Sequence, residues 1–426
     1  MKALIAIMTI LGVVAVAKAQ VEPEATSPLK LGISGTLSYS ARYMQMADFY
    51  AGGTSQMANL SGNFGYSTTS ERHPTSLTFG AGDSWTLSGQ DFNSGPYVSL
   101  SVSQSVAGQH WSLQLSDFVD YHKGVPIDQP NPTSSTAEPI LTLNTTMLNN
   151  DVTATYSYKL SAFSTLSAGG GYNQLFYPNG GGLNTNGLMA HAGLNRRLDA
   201  RNSLFGEYSF SRYSYSGSNV PIDANAGISM DANTAVAGWQ RTWTRRVSTS
   251  VSAGPQWVTF NASIPAPPST PAPSTPVPGF IGYSVNASAA DTSELGAASL
   301  TYSHGVNGGG GYLNGAEVDD IMGSFSRHFG RQVRSQFTMT LSGGYRRTDA
   351  LSSLTSAGLG TQGDYDSKYG NAQVTRSLGR LFSAYAGYMA TSQSSTSSAS
   401  NVPLNGLFQT INFSIGFTPP QIHLRQ

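Results

Sequence analysis

The chain has 426 residues, of which only 11% are charged; Lys plus Arg balance Asp plus Glu at 23 each, and there is no cysteine. The balance gives no whole-molecule field for nucleic acid, and the missing thiols exclude disulfides, thiolate metal sites and a cysteine nucleophile. Soluble domains carry roughly a quarter charged residues, so the surface here must be made uncharged by other means, and no second apolar cluster, heptad pattern or linker divides the chain into separate cores.

In chain order, the first feature is an export signal. Lys2 supplies a positive start, Ala3 to Val16 are apolar, and Ala17 and Ala19 flank Lys18 as the small residues a signal peptidase reads. The pattern predicts a signal peptide over 1–19 with cleavage before Gln20, then a short periplasmic segment over 20–30. The apolar run is short for the ~20 residues of a spanning helix. Nothing downstream of it reads as a membrane helix.

From residue 31 onward the chain alternates with period two, segment after segment. Ile33, Gly35, Leu37 and Tyr39 oppose Ser34, Thr36, Ser38, Ser40 and Arg42; Val98, Leu100 and Val102 oppose Ser99, Ser101 and Ser103. Further on, Trp111, Leu113 and Leu115 face away from Ser112, Gln114 and Ser116, and Phe337, Met339, Leu341 and Tyr345 away from Gln336, Thr338, Thr340, Ser342 and Arg346. The polar faces are Ser, Thr, Asn and Gln where a soluble sandwich would place Lys and Glu. A barrel turned inside out accounts for this, with lipid on the apolar face and a confined watery lumen on the other. Segment length agrees, since a tilted strand needs ~9 to 11 residues to cross the hydrocarbon layer.

The segments predict strands near 31–43, 57–67, 75–87, 97–105, 110–121, 147–159, 163–177, 186–196, 202–215, 228–241, 247–260, 280–288, 295–305, 317–327, 333–347, 365–377, 382–392 and 407–417. Short connections such as Ala107 to Gln109, Leu198 to Arg201 and Thr244 to Arg246 alternate with long ones such as Lys123 to Thr145, Gly217 to Gly227 and Ser392 to Asn405. Short periplasmic turns and long outer loops are the signature of an antiparallel up-and-down membrane barrel. The expectation is an all-β transmembrane barrel over 31–417 with about eighteen strands, or sixteen if the hairpin between 280 and 305, with Ala289 to Ser293 as its turn, is absent. A tail over 418–426 follows. Pro265 to Pro278, a Pro, Ser, Thr and Ala run, reads as an extended polyproline-like outer loop.

Near the C-terminus, Leu407-Phe408-Gln409-Thr410-Ile411-Asn412-Phe413-Ser414-Ile415-Gly416-Phe417 resembles the terminal strand read by the outer-membrane assembly machinery. Ile411, Phe413, Ile415 and Phe417 are its alternating apolar residues. Asn59-Leu60-Ser61-Gly62-Asn63-Phe64-Gly65-Tyr66-Ser67 with Glu71-Arg72-His73-Pro74, and Leu300 to Val306 followed by Gly308 to Gly311, resemble uncharacterised porin-like β-barrel proteins of Gram-negative envelopes. The resemblance implies the cell outer membrane as location and a porin-like barrel as fold. It assigns no residue a role.

Several groups of residues are candidates for function. Arg42, Lys159, Glu207 and Arg346 fall in phase with the polar face, with His191 as a titratable neighbour, and would line the lumen and bias which solutes pass. Arginines gather at the short turns: Arg196, Arg197 and Arg201; Arg241, Arg245 and Arg246; Arg327, Arg331 and Arg334; Arg376 and Arg380. They read either as a basic periplasmic rim touching lipid phosphates or the cell wall, or as the place where apolar strands give way to charge. Tyr43, Tyr121, Tyr177, Tyr213, Tyr215, Trp239, Trp243, Trp257 and Tyr388 lie near strand ends, where aromatic girdles are expected. Asp319 and Asp320 after Glu317 could hold Ca²⁺ in a loop, though adjacent carboxylates more simply keep a strand's end in water. There is no Gly-x-Ser-x-Gly elbow, His-Glu-x-x-His pair or phosphate loop, so no catalytic residue, cofactor or metal is expected. The functional expectation is a passive channel for small polar solutes, whose partners are outer-membrane lipid and the barrel-assembly machinery. The alternative is a structural or surface-binding barrel acting through its outer loops.

Overall fold

The computed structural model describes residues 30–47, 53–68, 73–89, 91, 94–123, 146–179, 182–216, 228–261, 277–309, 313, 315–330, 337–351, 364–379, 381–395, 406–417 and 422–425. The expected signal peptide, and all of the 20–30 segment except Lys30, lie outside them, as does most of the Pro-rich loop. In chain order the strands are β1 (Lys30–Ala47), β2 (Gly53–Thr68), β3 (Thr75–Gly89), β4 (Gly95–Ala107), β5 (Trp111–Lys123), β6 (Thr146–Lys159), β7 (Ser164–Phe176), β8 (Asn184–Arg197) and β9 (Asn202–Ser216). They continue as β10 (Ser229–Thr242), β11 (Val247–Asn261), β12 (Phe280–Ser293), β13 (Gly296–Asn307), β14 (Ala316–Phe329), β15 (Phe337–Ala350), β16 (Tyr365–Leu378), β17 (Phe382–Ser395), β18 (Gly406–Phe417) and the short β19 (Ile422–Arg425).

Each of the first seventeen strands pairs antiparallel with the next in sequence. The ring closes where β1 pairs with β18, from Leu37 opposite Phe417 to Ala47 opposite Leu407. Closure leaves no sheet edge, which is what a backbone in lipid requires. Within the segment expected as a tail over 418–426, Ile422 to Arg425 prolong this seam as β19 opposite Ile33 to Lys30.

The registers fix the barrel's dimensions. Following opposed residues once around the ring returns to β1 about 22 residues further along. With a rise of ~3.3 Å per residue and strands ~4.7 Å apart, that stagger sets a tilt of roughly 41° and a backbone radius of about 18 Å. Side chains reaching ~6 Å inward would leave a lumen of roughly 12 Å radius wherever nothing else fills it.

The two faces separate as the alternation predicts. Leu37, Tyr39, Leu60, Phe64, Phe79, Leu194, Leu300, Phe413 and Ile415 all stand exposed on the outer face, Ile281 most of all at 74%. Such a continuous apolar exterior would aggregate in water and is stable in hydrocarbon. Polar residues alternate with them on the inner face.

At one end the strands join through tight turns closed by short side chains. Asp199 accepts from the backbone N–H of Arg201 at 2.6 Å and of Asn202 at 2.8 Å, and Thr244 Oγ1 from Arg246 at 3.2 Å and Val247 at 3.0 Å. These are the side-chain mimics of a turn that Asp and Thr favour. Gly330 and Gly379, with φ of 102° and 89°, stand at the corresponding corners after β14 and β16, where a side chain would be strained. The hairpin between 280 and 305 is present, but its turn is Glu294 and Leu295, closed by Ser293 Oγ donating to the Gly296 carbonyl at 3.0 Å. The expected turn residues Ala289 to Ser293 are strand. Ala and Ser on both sides of that hairpin give weak contrast, so the alternation did not mark where it ends.

Candidate functional site: the barrel lumen

The inner face changes character along its height. Towards the short-turn end, Asn63, Thr78, Ser101, Gln114, Asn286 and Thr301 face inward and are exposed. They form an open, uncharged polar vestibule. Towards the long-loop end the inward residues are covered: Asn59 at 3%, Gln256 at 5%, Asn173 at 8% and Thr410 at 2% exposure.

Part of this cover is apolar packing inside the lumen. Tyr215, Ile228, Met230, Ala232, Val258, Phe260, Val277 and Leu351 form one buried cluster against the inner wall of β9 to β11. A second joins Leu313, Ala316 and Tyr365, and a third Met147, Leu175 and Tyr177. Three tyrosines expected in the outer aromatic girdle therefore belong inside: Tyr177, Tyr213 and Tyr215 stand with or against these clusters. Odd residues of β9 share the row of Glu207, so position near a strand end misled where parity was the better guide. Tyr43, Tyr388, Trp243 and Trp257 are exposed on the outer face as expected.

The connection between β13 and β14 folds into this space. β13 opposes β12 only as far as His304; beyond it, the Val306 N–H donates to Gln256 Oε1 at 2.9 Å and Gln256 Nε2 to the Val306 carbonyl at 3.4 Å. An inward side chain of β11 thus takes the place of a β12 backbone, and the top of β13 bends inward. A Cβ added to Gly308 would sit 2.8 Å from Tyr213 Cδ1 and 3.5 Å from Thr185 Cγ2, on the wall of β8 and β9. Gly315, with φ of 93°, lies against Met230 and Leu351. Leu313 at the tip is 1% exposed. The glycines let the backbone approach the opposite wall closely.

By strand parity Lys159, His191, Glu207 and Arg346 stand on the inner row; the side chain of Arg42 lies outside those described. Arg42 stands in register with Met57 and Asn412. Lys159 is exposed at the short-turn end of β6, opposite Thr165. His191 of β8 lies opposite Gly169 and Ser209, and a Cβ at Gly169 would meet its Cε1 at 2.5 Å, so the glycine makes room for the imidazole. Glu207, exposed, stands on the neighbouring β9 opposite Gly193. Arg346 is paired: its Nη2 donates to Asp320 Oδ2 at 2.6 Å.

Further inward groups among the described residues escaped the alternation. Asp320 is one, neutralising Arg346; Asp151 of β6 is another, opposite Phe118. Asp120 Oδ2 accepts from His122 Nδ1 at 2.6 Å, and His122 Nε2 is buried without a hydrogen bond among the described residues. In the stretch Asp117 to His122, Asp117 shares the outer row while Phe118 shares the inner one, so neither face looked consistently polar. Asp319 and Asp320 do not converge on a cation, because consecutive strand residues point to opposite faces. Asp319 is outside, 2.9 Å from His304 Nδ1 and 2.9 Å from the Tyr302 hydroxyl.

No known family matches the chain in sequence, and no curated protein does. Among solved structures, the chain is similar to Pseudomonas aeruginosa OccK2 (OpdF) in complex with glucuronate, with a TM-score of 0.45 and 11% identity over 92% of this chain and 98% of that one. It is also similar to P. aeruginosa OccK9 (OpdG), with a TM-score of 0.45 and 9% identity over 91% and 98%, and to Acinetobacter baumannii OccAB4, with 0.42 and 8% over 92% and 98%.

Proposed function

We propose that this protein is a porin-like channel of the cell outer membrane that passes small polar solutes passively and performs no chemistry on them. The observation that carries the reading is the closed ring of eighteen strands with oily residues outside and Ser, Thr, Asn and Gln inside. Such a wall of about 18 Å backbone radius leaves room for water, whereas an eight-stranded barrel is filled by its own side chains. The inner face carries few formal charges, and Arg346 is balanced by Asp320. A weakly charged wall favours neutral or mildly polar solutes over ions. Arg42, Lys159, His191 and Glu207 tune that preference. The constriction lies at the long-loop end, where the β13–β14 connection and the packed clusters narrow the mouth.

In this reading the chain is exported through its 1–19 signal, handed to the assembly machinery by the row of Ile411, Phe413, Ile415 and Phe417, and surrounded by outer-membrane lipid. Their side chains are exposed in sequence on the outer face of β18. The test is conductance of the purified, folded protein in a planar bilayer. Discrete current steps are expected, and a folded protein that inserts without passing ions would overturn the channel.

A further inference from the structure

The outer surface carries a second pattern that a pore does not need. Four strands that descend to the short-turn end finish with the same arrangement on their outer row: Arg196 then Leu198, Arg241 then Trp243, Arg327 then Phe329, Arg376 then Leu378. Above each arginine the row is again apolar, with Leu194, Trp239, Phe325 and Val374. Each guanidinium is thus set within the apolar strip, and none of the four makes an ion pair among the described residues.

The registers place all four at nearly one height, within about two residues of each other along the tilted strands. They form an arc over β8, β10, β14 and β16, interrupted at β12, where Asp291 holds the corresponding outer position. Asp199 and Glu294 are the other carboxylates among the described residues at this edge. The descending strands outside the arc carry Tyr66, Val106, Tyr158 and Phe417 instead. Aromatic rings flank two of the guanidinium groups: the Cζ of Arg241 lies 4.0 Å from the centroid of Trp243 and 5.9 Å from that of Trp239, and that of Arg327 lies 5.3 Å from that of Phe329. The opposite edge differs, since its outward Arg212, Arg347 and Lys368 stand among Asp231, Glu317, Asp319, Asp349 and Asp366, with Arg212 and Arg347 in ion pairs at 2.6 and 2.8 Å.

An unpaired guanidinium flanked by apolar residues is expensive in hydrocarbon and is stable where a phosphate meets it at the headgroup layer. We infer that this arginine arc is a binding surface for the phosphates of anionic phospholipid in the periplasmic leaflet, with the leucine, tryptophan or phenylalanine beside each arginine anchoring it at that depth. The inference rests on the barrel spanning the outer membrane with its short turns in the periplasm. The planar fork suits a phosphate better than a point charge does, and an arc on one side of the ring gives the barrel a preferred lipid-facing flank.

The test is native mass spectrometry of the folded protein in micelles doped with equal phosphatidylglycerol and phosphatidylcholine. The natural chain should retain phosphatidylglycerol preferentially. Changing Arg196, Arg241, Arg327 and Arg376 together to Gln should lower that retention roughly fivefold to tenfold, as the loss of four exposed charge contacts predicts. The Lys versions should keep most of it, and R347Q/K368Q at the other edge should keep all of it. No lipid preference in the natural chain, or a preference that survives the fourfold change, overturns the inference. If the fourfold variant does not fold, R196Q/R376Q, which alters two exposed side chains without ring contacts, should still halve the retention. Conductance recorded in parallel should be unchanged in every variant, so a failed lipid surface and a failed pore give different results.

Discussion

If the connection between β13 and β14 is what narrows the mouth, loosening it should widen the channel without weakening the barrel. Leu313→Ala is the sharpest perturbation. Leu313 is 1% exposed, packed with Ala316 and Tyr365, and belongs to a segment outside the strand ladder. Removing a buried leucine to alanine costs about 2 to 5 kcal/mol in a packed interior; taking ~2.5 kcal/mol for a tip beside a watery lumen, the docked-to-undocked ratio should fall roughly sixtyfold to eightyfold. The Gln256–Val306 hydrogen bonds, about 1 kcal/mol each, still tether the top of β13, so the tip should fluctuate but not leave altogether. Single-channel recording should show a larger mean conductance with added flicker, while the unfolding midpoint of the barrel stays within error of the natural chain. An unchanged, quiet conductance would refute the reasoning, because the tip would then lie out of the ion path; a large drop in unfolding midpoint would refute it differently, by making the tip part of the barrel's stability.

Other outcomes follow from the same geometry. Gly315→Val places a branched side chain at φ of 93° and against Met230, a strain of about 1 to 3 kcal/mol, and should reproduce the flicker of the leucine change. Leu300→Arg sets a charge in mid-height of the outer band and should lower barrel stability by about 2 to 4 kcal/mol, read from denaturant midpoints in lipid. Glu207→Gln removes an exposed negative charge from the vestibule, so the reversal potential in a salt gradient should move towards anions; no movement would place Glu207 off the solute path. The backbone and side-chain donors of Asn202, with Arg201 N–H, hold the Asp199 carboxyl below its ordinary value of 3.8. A depressed carboxylate stabilises its turn above the unfolded value and loses that contribution as pH falls through the folded one. Amide protection factors at Arg201 and Asn202, corrected for the intrinsic pH dependence of exchange, should accordingly fall below pH ~4 and be flat from there to neutrality, and Asp199→Asn should remove the dependence.

The strands, the order of long and short connections and the apolar outer row were legible in the sequence, for one physical reason. A wall one residue thick between lipid and water forces every second side chain to choose, and that choice is written locally with period two. What required the structure is what depends on contacts distant in sequence. Nothing in Gly308 and Gly309 says that the chain bends inward there until Gln256, some fifty residues earlier, is seen bonding Val306. Tyr213 and Tyr215 look like girdle residues by position and become lumen packing only because Ile228, Met230 and Phe260 arrive beside them from the next two strands and the segment entering β10. Asp320 was masked by Asp319 for a related reason. Two adjacent carboxylates look like one acidic site on a line of text, while the pleat sends one to the lipid-side His304 and the other to Arg346 in the lumen. The same parity argument separates the arginines at the turns: Arg196 belongs to the outer row and Arg197 to the inner one. A change at Arg197 should therefore act on conduction and leave phospholipid retention untouched, and Arg196→Gln should do the reverse.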